Sequence, residues 1–100
     1  MIIESFEHIM PASTDKTAAE SWINTTVKPA MKMAGYKMIR WCWSYAADGS
    51  LILFSFGEHE NQESLSQVWQ RKEMLEARDQ FYVLFPEAKV SRRIMSVIEG

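Results

Sequence analysis

Hydrophobic and polar residues alternate along two neighbouring runs in the middle of the chain, with Asp48-Gly49 between them. The large alternating residues are Trp41, Trp43 and Tyr45 in the first run and Ile52, Phe54 and Phe56 in the second. Asp-Gly between two such runs is typical of a β-hairpin, because both central residues of its tight turn need positive φ. The pattern therefore predicts a hairpin centred on this dipeptide.

We expect the turn to place Ala47 opposite Ser50, which fixes the register of the hairpin. Counting outward from the turn pairs Tyr45 with Ile52, Trp43 with Phe54, and Trp41 with Phe56. All six side chains then share one face of the sheet, because side chains alternate between faces and a slip of one residue would separate the two sets.

The rest of the chain predicts two further strands and two helices. Residues 2–10 alternate and end at Pro11, residues 36–46 and 51–58 are the hairpin strands, and residues 89–99 are the last strand. The helices occupy the two long intervals between strands. This β-α-β-β-α-β order predicts a single α+β domain over residues 1–100. Its four-stranded antiparallel sheet carries both helices on one face, the ferredoxin-like arrangement.

The first helix carries signals for both of its ends and for a break. Ser13 or Thr14 is its predicted N-cap, and Gly35 is its predicted C-cap. Pro29 lies inside the helical pattern and has no N–H to donate. We therefore expect it to kink the helix or to end the regular part at Lys28.

The second helix has Asn61 as its predicted N-cap and ends before Pro86. Its apolar residues form two offset stripes. The first stripe is Leu65, Val68, Trp69 and Leu75, and the second runs from Met74 and Ala77 toward Phe81 and Phe85. This offset predicts a bend, or a short extra helix, around Arg78-Asp79.

The face of the sheet that the helices leave uncovered is also predicted to be apolar. Met38, Cys42 and Leu53 lie on it beside polar residues, and the last strand has apolar residues on both of its faces. A sheet that is apolar on both faces needs cover on both. We therefore expect a homodimer in which two sheets pack through the face opposite the helices. The alternative is a monomer whose second face is partly apolar.

Charge and hydropathy argue against two classes of partner, nucleic acids and membranes. The net charge is −2, and the 11 basic residues are scattered, which argues against a nucleic-acid-binding surface. No apolar run approaches the roughly 18 residues of a membrane span, and the start of the chain lacks the features of a signal peptide. Cys42 is the single cysteine and can form no internal disulfide. We expect a cytoplasmic protein that does not enter membranes.

Several short motifs along the chain share one family resemblance. They are Pro29 late in the first helix, Gly35-Tyr36-Lys37 before the second strand, Trp41 or Trp43 within it, and Trp69 and Phe81-Tyr82 in the second helical region. With the order of elements, they resemble the dimeric α/β-barrel superfamily, and locally its NIPSNAP-like group. The superfamily includes antibiotic-biosynthesis monooxygenases, haem-degrading monooxygenases and muconolactone isomerases.

The resemblance implies a cofactor-free pocket between sheet and helices, where Asn, Trp, Tyr or His orients a substrate that itself activates oxygen. This chain departs from that pattern in two places. The first strand has no Asn among Glu4-Ser5-Phe6-Glu7, and the second helix has Glu76-Ala77 where a haem-ligating His would be sought. Both departures weaken an enzymatic interpretation.

Two histidines and one arginine are the candidates for chemistry. His59, in a polar segment at the mouth of the helix–sheet cleft, is a candidate acid/base or metal ligand, or else a solvated histidine. No second ligand has convincing spacing, so no metal site is predicted. His8 points either into the cleft or out to solvent. Arg40, expected opposite Gly57, could bind a carboxylate or enolate, or form an ion pair.

Six aromatic residues are the predicted lining of a ligand cavity. They are Trp41, Trp43, Phe54, Phe56, Trp69 and Phe81. Aromatic walls with few polar groups suit a planar ligand such as a quinone, a polycyclic phenol or haem. The alternative is that most of them are core residues.

Three functions are compatible with these patterns. The first is cofactor-independent monooxygenation, or binding, of a small planar aromatic or quinone-like compound. The second is a non-catalytic dimeric module for ligand binding or interaction. The third, an RNA-recognition module, shares the order of elements, but Asp48-Gly49-Ser50 leads into an apolar strand instead of the basic residue and exposed rings that RNA stacking requires.

Overall fold

The computed structural model describes residues 1–98, which form one four-stranded sheet with helices packed against one face. The elements are β1 (Ile2–Met10), α1 (Lys16–Trp22), a π-helical turn (Ile23–Val27), α2 (Lys28–Met33), β2 (Met38–Tyr45), β3 (Leu51–His59), α3 (Gln62–Val68), α4 (Lys72–Leu84) and β4 (Lys89–Ser96). Neighbouring strands are antiparallel, in the order β2-β3-β1-β4. The ferredoxin-like fold expected from the sequence is confirmed. Glu99, the predicted end of the last strand, lies outside the described residues.

The β2–β3 hairpin forms where the alternating runs predict it, but the predicted register is wrong by one residue. The backbone N–H of Ala46 bonds to the carbonyl of Ser50 at 3.0 Å, so three residues rather than two form the loop. Within that loop only Gly49 has positive φ, at 91°. A three-residue loop ending in one left-handed residue shifts the strand pairing by one position relative to a two-residue turn.

The observed register divides the large side chains of the hairpin between the two faces of the sheet. The pairs are Arg40 with Phe56, Trp41 with Ser55, Cys42 with Phe54, and Trp43 with Leu53. Trp41 and Trp43 share the face of buried Leu53 and pack against the core. Phe54 and Phe56 therefore lie on the outer face, away from the helices.

The first helical region runs through Pro29 without ending there. The irregularity lies in the π-helical turn directly before α2, where the N–H of Lys28 bonds to the carbonyl of Ile23, five residues back. The extra residue in this turn makes room for the proline ring, so the disturbance falls earlier than predicted. Asp15, rather than the hydroxyl residues before it, caps α1 by accepting a hydrogen bond from Ala18.

The second helical region begins at its predicted cap but breaks at a different place. Asn61 and Ser64 form a reciprocal capping box at the start of α3. The break lies over residues 69–71, between α3 and α4, and not at Arg78-Asp79. The apolar stripe changes phase between Val68 and Met74, so the chain reorients there to bury both stripes against the sheet.

The core lies between the helices and the inner face of the sheet. Its buried residues include Met10, Leu53, Leu65, Val68, Met74, Ala77 and Phe81. The indole of Trp22 ties the two helical regions together by donating to the carbonyl of Ala77 at 3.0 Å. Among residues 1–98, no helix is both long and apolar enough to cross a bilayer.

The outer face of the sheet carries an apolar stripe along β3, and on β1 Ile3 and Ile9 lie near its ends with Ser5 and Glu7 between them. Its large side chains are Ile3, Ile9, Ile52, Phe54 and Phe56, and the Phe54 and Phe56 rings stack with centroids 6.3 Å apart. Met38, Cys42 and Met95 extend the stripe onto the edge strands. Polar and charged residues of both signs surround it. The apolar outer face predicted from sequence is therefore present, although Leu53 and Ser55 belong to the other face.

Candidate functional site

A cavity of about 480 Å³ opens between the inner face of the sheet and the helices. One row of its floor takes one side chain from each strand, in the order Trp41, Ser55, Phe6 and Arg92. His8, Val90 and Ile94 complete the sheet side. The helices supply Trp22, Val27, Met31, Gln62, Leu65, Ser66, Trp69, Met74, Arg78, Phe81 and Tyr82. Aromatic walls with a few polar groups suit a flat, largely apolar ligand.

His8 is buried on the cavity floor, with its ring among aromatic neighbours. Its ring lies 4.9 Å from that of Phe81 and 5.8 Å from those of Phe6 and Trp41, measured between centroids. Nδ1 lies 3.0 Å from the carbonyl oxygen of Leu53 and must donate to it. Nε2 therefore carries the lone pair. Burial lowers the pKa of His8, and the bond to Leu53 opposes that effect only in part, which favours the neutral form.

Trp41 contributes a polar group as well as a ring. Its indole N–H is buried and has no hydrogen-bond partner within residues 1–98. The ring packs edge-on against Trp22, with centroids 5.6 Å apart, and stacks on His8. A buried donor without an acceptor is costly, and an oxygen atom of a ligand in the cavity would satisfy it.

Glu4 stands behind the cavity wall as a carboxylate surrounded by donors. It is 1% exposed. The Tyr36 hydroxyl donates to Oε1, while the Trp69 indole donates to Oε2 at 2.9 Å. Arg92 donates to the same Oε2 from Nε at 2.7 Å, and its Nη2 forms an ion pair with that oxygen at 2.6 Å. These contacts pair the buried charge and fix Trp69 and Arg92, both of which line the cavity.

Tyr36 and His59 lie on the far side of Glu4. Burial, followed by the charge and hydrogen bond of Glu4, raises the pKa of Tyr36, which stays protonated. Its ring packs on Gly57 so closely that a Cβ there would lie 2.3 Å from the ring. The His59 ring meets Tyr36 edge-on, and its Nδ1 lies 3.1 Å from the Ser64 hydroxyl. Burial lowers the pKa of His59, against the opposing charge of Glu4.

The structure brings four of the sequence-predicted site residues together in the cavity wall. They are His8, Trp41, Trp69 and Phe81. Trp43 faces the same side of the sheet but lies under Lys16, whose Nζ is 5.3 Å from its ring, and it does not line the cavity. His59 is buried behind the cavity and does not line it; it is not the solvated loop residue of the alternative prediction.

Three other predicted site residues lie on the opposite face of the sheet. Phe54 and Phe56 do not line this cavity, because the register of the hairpin differs by one residue from the predicted one. Arg40 lies opposite Phe56 instead of Gly57, and its side chain is exposed. The predicted pairing of Arg40 with Gly57 is therefore wrong for the same reason.

Sequence reasoning missed the polar cluster of Glu4, Tyr36 and Arg92. One signal was available. Glu4 lies four residues before His8 in the same strand, so both side chains lie on the same face of the sheet, which is the face toward the helices. Its partner Arg92 could not be identified without the register of β4 against β1. Among residues 1–98, no group of three or more His, Cys, Asp or Glu side chains is placed to hold a metal ion.

Comparison with known proteins identifies the fold. No protein-family model and no curated protein matches the sequence. Solved structures do match. A dimeric ferredoxin-like protein from an uncultured marine organism aligns with a TM-score of 0.76 at 9% identity, covering 100% of this chain and 97% of that chain.

Two further matches bear names that describe an activity or a family. SnoaB, a cofactor-independent oxygenase from Streptomyces nogalater, has a TM-score of 0.71 at 7% identity, covering 99% of this chain and 95% of its own. An ethyl tert-butyl ether D (EthD) family protein from Bacillus halodurans has a TM-score of 0.70 at 14% identity, covering 98% and 100%. At these identities the matches identify a ferredoxin-like fold that this chain shares with dimeric proteins and an oxygenase.

Proposed function

We propose that this protein binds a small planar phenol in the cavity, removes its hydroxyl proton with His8 and lets the resulting anion react with O₂ without a cofactor. The observation that carries the proposal is the buried His8 ring, which lines an aromatic cavity and whose Nδ1 lies 3.0 Å from the carbonyl oxygen of Leu53, leaving Nε2 as the candidate base. A base of this kind needs a fixed tautomer and a site that excludes water. The shared fold with a cofactor-independent oxygenase adds support.

The reaction can be written for 1-naphthol. Nε2 of His8 takes the hydroxyl proton, and the naphtholate gives one electron to O₂. The two radicals combine at ring carbon 4, and His8 returns its proton to the peroxide formed there. The hydroperoxide then loses the C4–H proton and its terminal hydroxyl as water, which leaves 1,4-naphthoquinone with one oxygen atom of O₂ as the carbonyl oxygen on carbon 4 and the other in water.

The aromatic walls have two roles in this scheme. They bury the flat faces of the ligand, and they keep bulk water from the anion, which strengthens every electrostatic contact around it. The unpartnered N–H of Trp41 is the donor for a ligand oxygen. The rings of Phe6, Trp41 and Phe81 surround His8, and burial disfavours its cation, which has no carboxylate among these ring neighbours. The proton therefore returns readily.

We also propose that two copies pack through their outer sheet faces. The stripe of Ile52, Phe54 and Phe56 reaches Ile9 on β1 and lies on the face of the sheet away from the helices. Arg40, Glu7, Glu58 and Arg93 flank it with both signs of charge, so a two-fold related copy can present opposite charges to each of them. The ferredoxin-like proteins with the same fold that are described as dimers favour this assembly.

The remaining finer assignments belong to the same proposal. Within the dimeric α/β-barrel superfamily we favour the NIPSNAP-like group, on Pro29, Gly35 and Trp41. We favour a cytoplasmic location, on the single Cys42.

A second candidate function is ligand binding without chemistry. It is favoured by Glu4, which is buried behind the wall and already accepts from Tyr36, Trp69 and Arg92, so that it does not meet a reacting group in the cavity. In that case His8 would serve only as a hydrogen-bond acceptor for the bound phenol.

Incubation of 1-naphthol with the protein under ¹⁸O₂, followed by mass spectrometry of the product, tests the proposal. We expect one ¹⁸O atom in 1,4-naphthoquinone, and a rate at least about a hundredfold lower for His8→Asn, which keeps a donor for Leu53 but removes the base. His59→Asn is the matched control and should keep the rate. Binding of 1-naphthol without any ¹⁸O incorporation would favour the second candidate, and no binding would exclude both.

A further inference from the structure

Arg92 is held at the cavity wall in a way that leaves donors free. Its Nε donates to Glu4 Oε2 at 2.7 Å, and its Nη2 forms an ion pair with the same oxygen at 2.6 Å. A guanidinium carries five N–H groups, so at least three remain, and among residues 1–98 Glu4 is the partner that the side chain contacts. The side chain is 40% exposed and lines the cavity. Glu4 therefore orients the fork from behind while its free edge stays available to a ligand.

The charged side chains that line the cavity are all positive. The lining residues include two arginines, Arg78 and Arg92, and no carboxylate. Arg78 bonds to Asp79 at 3.3 Å outside the lining, and Glu4 lies behind Arg92. A ligand in the cavity therefore meets N–H donors of both arginines and no acidic group. Because each arginine already has a carboxylate partner, the preference for an anion comes from directed donors more than from net charge.

The spacing of the groups indicates how such a ligand is arranged. Arg92 lies opposite Phe6 in the strand pairing, whereas His8 lies opposite Val90, two positions along on the same face. His8 on β1 and Arg92 on β4 are therefore diagonal positions on one face of an antiparallel pair, which are about 7–8 Å apart, close to the width of two fused aromatic rings. A hydroxyl at His8 and an anionic group at Arg92 therefore fit opposite sides of one fused ring system.

We infer that the ligand is a hydroxylated aromatic carboxylate, with its hydroxyl at His8 and its carboxylate on the free edge of Arg92. This inference rests on the proposed function, because it concerns the same cavity. It adds that Arg92 is the residue that distinguishes acidic from neutral phenols. Planar, two-oxygen recognition is the geometry for which an arginine fork is suited.

Isothermal titration calorimetry with a matched pair of ligands tests this inference. The pair is 1-naphthol and 5-hydroxy-1-naphthoate, which differ by the carboxylate alone. We expect the wild-type protein to bind the carboxylate compound roughly tenfold more tightly, which corresponds to about 1.4 kcal/mol. Arg92→Met should abolish the difference between the two ligands.

Two controls separate binding from folding. Arg92→Met leaves the Glu4 carboxylate buried without its partner, so the double variant Glu4→Gln/Arg92→Met, which removes both charges, is measured beside it and checked by circular dichroism. Arg71→Met removes an exposed arginine that does not line the cavity and should keep the tenfold preference. If the wild type binds the two compounds with equal affinity, or if both Arg92 variants keep the preference for the carboxylate compound, this inference is overturned while the proposed function stands. Failure of both compounds to bind would overturn the proposed function as well.

Discussion

His8 is a histidine buried without a neighbouring carboxylate, and its protonation therefore couples folding to pH. Burial lowers its pKa in the folded state below the unfolded value of about 6.5. The unfolded chain consequently binds more protons between these two values. The stability that the neutral ring contributes is present above about pH 6.5 and is lost as the pH falls toward the folded-state pKa.

Urea unfolding at pH 7.5 and pH 5 measures this coupling. We expect His8→Asn to lose less stability on acidification than the wild type, by up to about 1.4 kcal/mol per pH unit within the titration range. Asparagine keeps a donor near Leu53, so the comparison isolates the charge. The pKa of His59 is also lowered, so His59→Asn should remove a separate part of the slope. Identical slopes for wild type and His8→Asn would contradict the account.

The candidate site could be predicted from sequence only where a residue's own neighbours determine its face. Trp41 and Phe81 were identifiable because strand alternation and helical periodicity point them inward. The contact between Glu4 and Arg92 joins residues 88 positions apart and depends on the β1–β4 register, which no local pattern specifies. His8 had a known parity, but its burial depended on the helices packed above it.

At the scale of the elements, the β2–β3 turn decides which side chains reach the cavity. Asp48-Gly49 correctly located the hairpin, yet the dipeptide is compatible with both a two-residue and a three-residue loop. In the observed loop Asp48 accepts a hydrogen bond from the backbone of Ser50 at 2.9 Å, and Gly49 takes the left-handed conformation. Loop length, and hence register, depends on this local geometry rather than on the alternation of the strands.

Substitution of Gly49 tests how strongly the turn conformation contributes to stability. Its φ of 91° is disfavoured for residues with a Cβ, while the nearest atom to an added Cβ is 4.0 Å away, on Ala12. The cost of Gly49→Ala should therefore arise from the backbone alone and amount to about 1–2 kcal/mol in urea unfolding. Gly49→Asn should cost less, because asparagine tolerates this region better. Equal stability of Gly49→Ala and wild type would mean that the loop relaxes to another conformation.

The sequence predicts that each helical region is interrupted, but packing against the sheet determines where the interruption lies. The offset apolar stripes predict a change of helix direction in the second helical region, and Pro29 predicts one in the first. In both cases the break lies several residues N-terminal to the predicted place. A helix can shift its irregularity along the chain at little cost, and tertiary packing selects the position at which both apolar stripes are buried.

At the scale of the whole molecule, the apolar outer face of the sheet is the sequence feature on which the proposed dimer rests. Three consecutive outward positions of β3, Ile52, Phe54 and Phe56, are apolar, whereas a solvated sheet face normally carries polar residues. The helices cover only the inner face. The cavity, by contrast, is built from the inner face and the helices of one chain, so binding of 1-naphthol and dimerisation can be measured independently.

Phe56→Glu tests the dimer while leaving the fold of one chain intact. Phe56 lies opposite Arg40 and Ser5, so a carboxylate there gains a partner within its own sheet but opposes apolar packing by a second copy. In sedimentation velocity at micromolar concentration, we expect the wild type at twice the 11.6 kDa chain mass and Phe56→Glu at the mass of one chain. Val83→Glu, at a position 79% exposed on α4, is the matched control and should sediment like the wild type. A wild type at 11.6 kDa, or a Phe56→Glu variant that remains at twice that mass, would show that this face is not the interface.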